Sequence, residues 1–256
     1  MRRVTAVLRA LGLREPVIRT RKAFVRARRR RAEARGSDRY SRPALHDMER
    51  KLDAAIDRDG GFFVEAGAND GFTQSNTYWL EHFRGWRGIL IEPMPTYYEE
   101  CRIERPDATI VHAAVVPADF DRTTVRMQFG DLMSSVHGAH GDTAAEREWV
   151  APGLVLGWRD PYEADVPART LSSILDEYGA PTVDLLSLDV EGFEAQALRG
   201  LDFNRHAPRW IVVEAHDIEG GRAAIEEVLG DRYTLEAQVS PLDLLYRRRD
   251  VASARS

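Results

Sequence analysis

The segment Phe62-Phe63-Val64-Glu65-Ala66-Gly67-Ala68-Asn69-Asp70-Gly71 constrains this chain more than any other, because a short apolar run closes on an acid and passes straight into a glycine turn. A run of that length, bounded by Gly60-Gly61 before and Gly67 after, reads as a buried strand, and the turn glycines let the backbone pass close to a bound molecule. The pattern recurs: Ile89-Leu90-Ile91 ends at Glu92-Pro93, Val183 to Leu188 ends at Asp189, and Trp210 to Val213 ends at Glu214. Ala108 to Val116 supplies a further strand, closed for ligand purposes near Ala114, and Phe120 to Phe129 alternates as another. Between them lie helical segments. Leu45, Met48, Leu52, Ala55 and Ile56 share one face of a helix opened by Pro43, and further helices are expected from Ser75 toward Phe83, over 96–104, from Thr170 to Tyr178 and around Glu194 to Leu198. Strands alternating with helices predict an α/β fold with a mostly parallel, doubly wound sheet. Tyr233 to Arg249 reads as two strands joined around Ser240-Pro241, which suits an antiparallel edge.

The 256 residues suffice for one such domain and a tail. The first 42 residues hold 15 arginines and lysines against three acids, a balance of +12, so the remaining residues carry −17 of the overall −5. The division follows: a basic, partly helical N-terminal appendage over 1–42, and a catalytic domain over 43–256 with an irregular insertion at 130–166. An acidic domain offers no general surface for nucleic acid. The appendage has two readings, a basic amphipathic helix resting on an anionic membrane surface or acidic partner, and a solvated tail. No run of 18 apolar residues appears, and Arg9 and Arg14 interrupt what a secretory signal would need, so a cytoplasmic location is expected, with the tail as the one route to peripheral membrane contact. The single cysteine, Cys101, excludes an intrachain disulfide and reads as a packed thiol.

In an open parallel sheet, ligands bind beyond the carboxyl ends of the strands. Glu65, Glu92, Asp189 and Glu214 stand there, and a row of acids at a buried edge demands cationic, hydroxyl-bearing or metal partners. S-adenosylmethionine brings an ammonium, a sulfonium and two ribose hydroxyls. Glu92 lies 21 residues after Gly71, the interval at which a strand-end acid reaches ribose hydroxyls. Dinucleotide enzymes share that interval, so an NAD(P)-dependent oxidoreductase is the alternative, together with a catalytically silent cofactor-binding module. Against the first, Gly67 to Gly71 does not satisfy G-x-G-x-x-G, and Asn69 and Asp70 put polar side chains, one of them acidic, where a pyrophosphate needs bare amides.

Val64 to Gly71 with Ser75-Asn76-Thr77, Gly85-Trp86 with Leu90-Ile91-Glu92-Pro93, and Asp184 to Glu194 together resemble the FkbM-type family of methyltransferases, over roughly residues 60 to 245. The resemblance implies a Rossmann-like class I fold and O-methylation, with S-adenosylmethionine, of a hydroxyl on a sugar, glycan or glycosylated natural product; the partner is then a small-molecule or glycan acceptor. It places Glu65, Gly67, Asn69 and Gly71 at the methionine end of the cofactor, Glu92 at the ribose and Ala113-Ala114 at the adenine, with Asn76, Pro93 and Asp189 also on the cofactor. A protonated alcohol is a poor nucleophile, so either a base takes its proton or a metal lowers its pKa. His216 is the first choice of base, because its ordinary pKa lies near neutral, and Asp189 the second, with Glu191 close by. Acids at the ends of the fourth and fifth strands hold magnesium in related class I O-methyltransferases, which makes Asp189 and Glu214 the candidate ligands for Mg2+. His112 reads as a packed strand residue, His137 and His140 as loop residues or substrate contacts, and Trp149, Trp158 and Tyr162 as sugar-stacking or core rings.

Overall fold

The computed structural model describes residues 13–129, 134–136, 162–215 and 219–249. Helix α1 (Arg14–Glu33) precedes α2 (Met48–Ile56), β1 (Phe62–Ala66), α3 (Tyr78–Arg84), β2 (Arg87–Ile91), α4 (Pro95–Glu104), β3 (Thr109–Val111), β4 (Ala114–Val115), β5 (Thr124–Gln128), β6 (Ser135–Val136) and β7 (Glu163–Arg169). Then follow α5 (Leu171–Glu177), β8 (Leu185–Leu188), α6 (Glu194–Arg199), α7 (Phe203–His206), β9 (Trp210–Glu214), α8 (Gly220–Leu229), β10 (Tyr233–Gln238) and β11 (Asp243–Arg248).

Seven strands form the main sheet in the order β10-β11-β9-β8-β1-β2-β3. The five from β9 to β3 run parallel, whereas β11 is antiparallel to β9 and β10 to β11. This is the Rossmann-like arrangement with an antiparallel edge that the pattern of elements predicts. A parallel strand covered on both faces must be apolar on both, and the pleat sorts its residues by alternation. Val64, Ala66, Ile89, Ile91, Leu186 and Ile211 therefore meet α5, α6 and α8 on one face. Phe63, Leu90, Leu185 and Val212 meet α2, α3 and Cys101 of α4 on the other.

Several expectations need correction. Leu45 does not share the buried face of α2. His46 and Asp47 both adopt φ 56°, which breaks the helix and leaves Leu45 in a short 3-10 turn, 53% exposed. The strand expected over Ala108 to Val116 is two strands. Only β3 joins the main sheet, while β4 pairs with β7 in a second, four-stranded sheet of order β4-β7-β5-β6. That sheet supplies regular structure at both ends of the 130–166 segment, since β7 pairs antiparallel with β5 from Glu163 onward. His137, His140, Trp149, Trp158 and the base candidate His216 lie outside the described residues. Tyr162 stacks on Phe129 with ring centroids 4.7 Å apart.

The basic segment is not simply solvated. In α1 the side chains of Ile18 and Arg29 are buried, and Arg29 donates to Tyr78 Oη at 2.9 Å, pairs with Glu104 and lies over the Phe72 ring. Lys22 Nζ reaches Asp70 at 2.7 Å and Glu100 at 2.8 Å. Acidic partners for this helix are thus part of the chain itself. Among the described residues, no helix is long and apolar enough to cross a membrane.

Removing one partner of a buried ion pair strands the other charge. Arg29→Met should therefore lower the unfolding free energy by about 3 kcal/mol in urea titrations, although the substituted position lies outside the sheet and its core. A loss near zero would show that α1 is not docked in solution.

Candidate active site

The turn after β1 is strapped down from below. Glu65 accepts hydrogen bonds from Ser75 Oγ at 2.9 Å, from the Asn76 amide at 2.9 Å and from Thr77 Oγ1. Arg105, fully buried just past α4, donates to the Gly71 carbonyl at 3.2 Å, to Ser75 Oγ at 3.3 Å and to Thr77 Oγ1 at 3.2 Å, and pairs with Glu81. The loop over 72–77 thus follows the turn, and α3 begins only at Tyr78, not near Ser75. No helix N-terminus is left directly behind Gly71 to receive a pyrophosphate, which removes the geometry a dinucleotide site of this kind uses.

Backbone proximity decides the rest of the turn. Gly67 holds φ 84°, and a Cβ there would lie 1.7 Å from the carbonyl oxygen of Asp189. The ends of β1 and β8 are therefore in backbone contact, with the Asp189 amide donating to the Ala66 carbonyl at 3.1 Å. Asn69, at φ 50°, donates its amide to Glu92 Oε2 at 2.8 Å, and the Met94 amide donates to Glu92 Oε1 at 2.7 Å. Each Glu92 oxygen keeps a further lone pair for a ligand hydroxyl. Burial pushes the Glu92 carboxyl up to about 8, more than its two amide donors lower it. The Asp70 carboxylate is turned into the protein instead, accepting from the amides of Phe72 and Thr73 and from Lys22 of α1.

These elements surround a cleft of about 930 Å3, counting its open mouth, at the carboxyl ends of the main sheet. Its wall includes Glu65, Gly67, Asn69, Asn76, Glu92 and Pro93 on one side, Ala113 and Ala114 on another, and Asp189 and Glu191 beyond them. The structure thus brings together nearly all of the residues expected at the site. Gly71 is the exception on the cofactor side: it backs onto Cys101 and Arg105, away from the cleft wall. Glu214 neighbours Asp189 and is not part of the wall. His112 bonds the Pro93 carbonyl at 2.8 Å and stacks on Tyr98, the packing role expected of it.

Asp189 is likewise a perturbed carboxyl. Burial, the neighbouring charges of Glu214 and Glu191, and a hydrogen bond with Glu214 all hold its proton on well above the ordinary range. Glu194 is pushed up to about 7 by burial while accepting from the amides of Val190 and Gly192. Asp189, Glu194 and Glu214 each offer one carboxylate oxygen within 4.8 Å of the others. Glu194, like Arg105, Lys22 and the cleft residues Tyr97 and Ser187, escaped the reading of the sequence. The repeated acids of Asp189-Val190-Glu191-Gly192-Phe193-Glu194 were its only signal.

The sequence profile of the methyltransferase FkbM domain matches residues 65–238. The chain is 28% identical over 202 residues to the 31-O-demethyl-FK506 methyltransferase FkbM of Streptomyces tacrolimicus, covering 72% of this chain and 77% of that protein. It is 37% identical over 198 residues to methyltransferase sdnD of Sordaria araneosa, covering 67% and 72%. Among solved structures, a TehB-like SAM-dependent methyltransferase from Corynebacterium glutamicum matches 91% of this chain and 100% of its own at 15% identity, with a TM-score of 0.42.

The contact between Gly67 and Asp189 is testable without any ligand. Gly67→Ala should cost about 3 kcal/mol or more in denaturant unfolding, from strain and backbone collision together. Gly85→Ala, also at positive φ but with open space around its Cβ, should cost only about 1 kcal/mol. Equal losses would refute the close approach.

Proposed function

The chain belongs to the FkbM family of S-adenosylmethionine-dependent methyltransferases, and from that premise we propose that it methylates a hydroxyl oxygen of a sugar, glycan or glycosylated metabolite. The observation that carries this reading is that one cleft holds the Gly67 turn, the buried Glu92 and the Asp189–Glu191 segment together. A relative's name supports oxygen as the acceptor atom, because the Streptomyces protein is called a 31-O-demethyl-FK506 methyltransferase. Bound S-adenosylmethionine supplies an electrophilic methyl group for in-line displacement. Gly67 and Asn69 would border its amino-acid end, Glu92 would accept from the ribose hydroxyls, and the chain at Ala113-Ala114 would line the adenine.

The protein's task is then to hold the acceptor oxygen behind the methyl group and to take its proton. Asp189 suits the second part. In its ionised form, which burial and neighbouring negative charge disfavour, it is a stronger base than an ordinary carboxylate, and the hydrogen bond to Glu214 keeps the acquired proton within the pair. Glu191, in the left-handed region at φ 55°, lies on the same wall and borders the acceptor. His216, two residues beyond Glu214, remains the alternative base.

The oxygen triad of Asp189, Glu194 and Glu214 favours a second reading, in which these residues hold a magnesium ion. Hard carboxylate oxygens suit that ion, which would supply a Lewis acid toward the acceptor hydroxyl. Relative to the sequence reading, Glu194 joins the proposed pair. Cofactor consumption measured across sugar, glycan and glycosylated-metabolite acceptors, with magnesium or with a chelator, separates the two. Activity that survives the chelator excludes the metal. Cofactor binding without turnover on any acceptor would instead leave a silent binding module.

Two outcomes follow from the acids. Asp189→Asn should lower kcat by about a hundredfold or more while S-adenosylhomocysteine still binds; full activity would remove Asp189 from catalysis. In the free protein Glu92 keeps its proton below about 8, whereas two hydroxyl donors favour the carboxylate. Binding at lower pH must therefore expel a proton. Calorimetric affinity for S-adenosylhomocysteine should rise about tenfold between roughly pH 6.5 and pH 8.5, and Glu92→Gln should flatten that rise.

A further inference from the structure

Helix α1 has two faces, and the domain uses only one of them. Ile18, Lys22 and Arg29, spaced four and seven residues apart, turn toward the domain, where Lys22 bonds Asp70 and Arg29 is buried against Glu104 and Phe72. Five residues earlier the same spacing recurs in Leu13, Val17 and Phe24. At 3.6 residues per turn that offset rotates the second stripe about 140° round the helix. These three side chains are 47%, 40% and 71% exposed. The stripe continues in charge: Arg21 stands four residues after Val17, and Arg28 and Arg31 stand four and seven after Phe24, all exposed. Arg28 also bonds the Tyr40 hydroxyl at 2.6 Å and still faces solvent. Over its length α1 carries nine arginines and lysines against two glutamates.

We propose that this outer face of α1 is a docking surface for an anionic lipid bilayer. The chemistry of the face selects the partner. An interfacial helix sinks apolar side chains to the boundary between headgroups and acyl chains while arginines beside them meet phosphates, and both kinds of group are present in one stripe. A nucleic acid would pair with the arginines but would leave Leu13 and Val17 without a role. A second copy of the chain would set one cationic stripe against another. The helix needs no detachment to reach the bilayer, because its inner face stays held by Arg29 and Lys22. Lys22 also sits 5.8 Å from the ring centre of Tyr97, a cleft residue, so the docking helix borders the cofactor turn and the cleft. None of this depends on the methyl-transfer reading.

The test is co-sedimentation of the full chain with vesicles of phosphatidylcholine alone and with an equimolar mixture of phosphatidylcholine and phosphatidylglycerol. Binding is expected to the mixed vesicles only, weakening as salt is raised. Val17→Glu combined with Phe24→Glu should reduce the partition coefficient about tenfold or more, with circular dichroism and Tm unchanged. If that pair impairs folding, Arg21→Gln combined with Arg31→Gln replaces it and should also weaken binding about tenfold. The proposal is overturned if the full chain ignores anionic vesicles, or if folded variants bind them as well as the parent does. It is equally overturned if the stripe variants alter RNA binding or self-association and leave vesicle binding intact.

Discussion

The contact between the backbone at Gly67 and the carbonyl of Asp189 is the constraint on which the rest of the site depends. Two parallel strands can bring their carboxyl ends this close only where one of them has no side chain, and a Cβ at Gly67 would lie 1.7 Å from that oxygen. The cofactor turn after β1 and the acidic segment after β8 thereby become opposite walls of one cleft instead of neighbouring loops. Everything proposed about methyl transfer uses that adjacency, since an acceptor oxygen must reach a methyl group held by the first wall and lose its proton to the second.

Three strand-end acids then acquire three different roles from three different surroundings. Glu65 spends its oxygens on Ser75, Asn76 and Thr77, with Arg105 behind them, so it works as the anchor of the loop. Glu92 meets only two backbone amides in a fully buried setting, which raises its pKa and leaves lone pairs for a ligand. Asp189 has like charges for neighbours as well as burial, and both raise its pKa. In the proposed reading, identical chemistry at the ends of similar strands is divided among scaffold, binding and proton transfer by solvation and by the sign of nearby charge.

Much of this was legible in the sequence because the central strands are apolar on both faces. Phe62-Phe63-Val64, Ile89-Leu90-Ile91 and Leu185-Leu186-Ser187-Leu188 announce buried parallel strands, and the acids that follow mark the ligand end. Strand β7 was hidden for another reason: its burial alternates along Glu-Ala-Asp-Val-Pro-Ala-Arg, but two of the three inward positions are only alanine and Pro167 argues against a strand. Helix α8 opens on Gly220-Gly221, residues that argue against a helix, and is carried by the packing of Ile225 and Leu229. The break between β3 and β4 comes from pairing with β7, a partner more than fifty residues away. Charge deceived in the same manner. Asp70 reads as an acid set into the ligand turn, and local sequence contains nothing to say that Lys22, from a segment that reads as a separate tail, would reach it.

That long-range pairing also changes what the basic segment is for. A tail of +12 beside a domain of −17 would be drawn to it nonspecifically, but Arg29 is buried and hydrogen-bonded, and a buried guanidinium requires a fixed geometry. Some of the segment's charge is therefore consumed in joining helix to domain, at Asp70, Glu100 and Glu104. Leu13, Val17 and Phe24 do not serve that purpose and stay exposed. A helix required only as a clamp on the cofactor turn would gain nothing from apolar side chains facing water. Their presence beside cations is the reason to regard α1 as joining the cofactor turn to an outside surface.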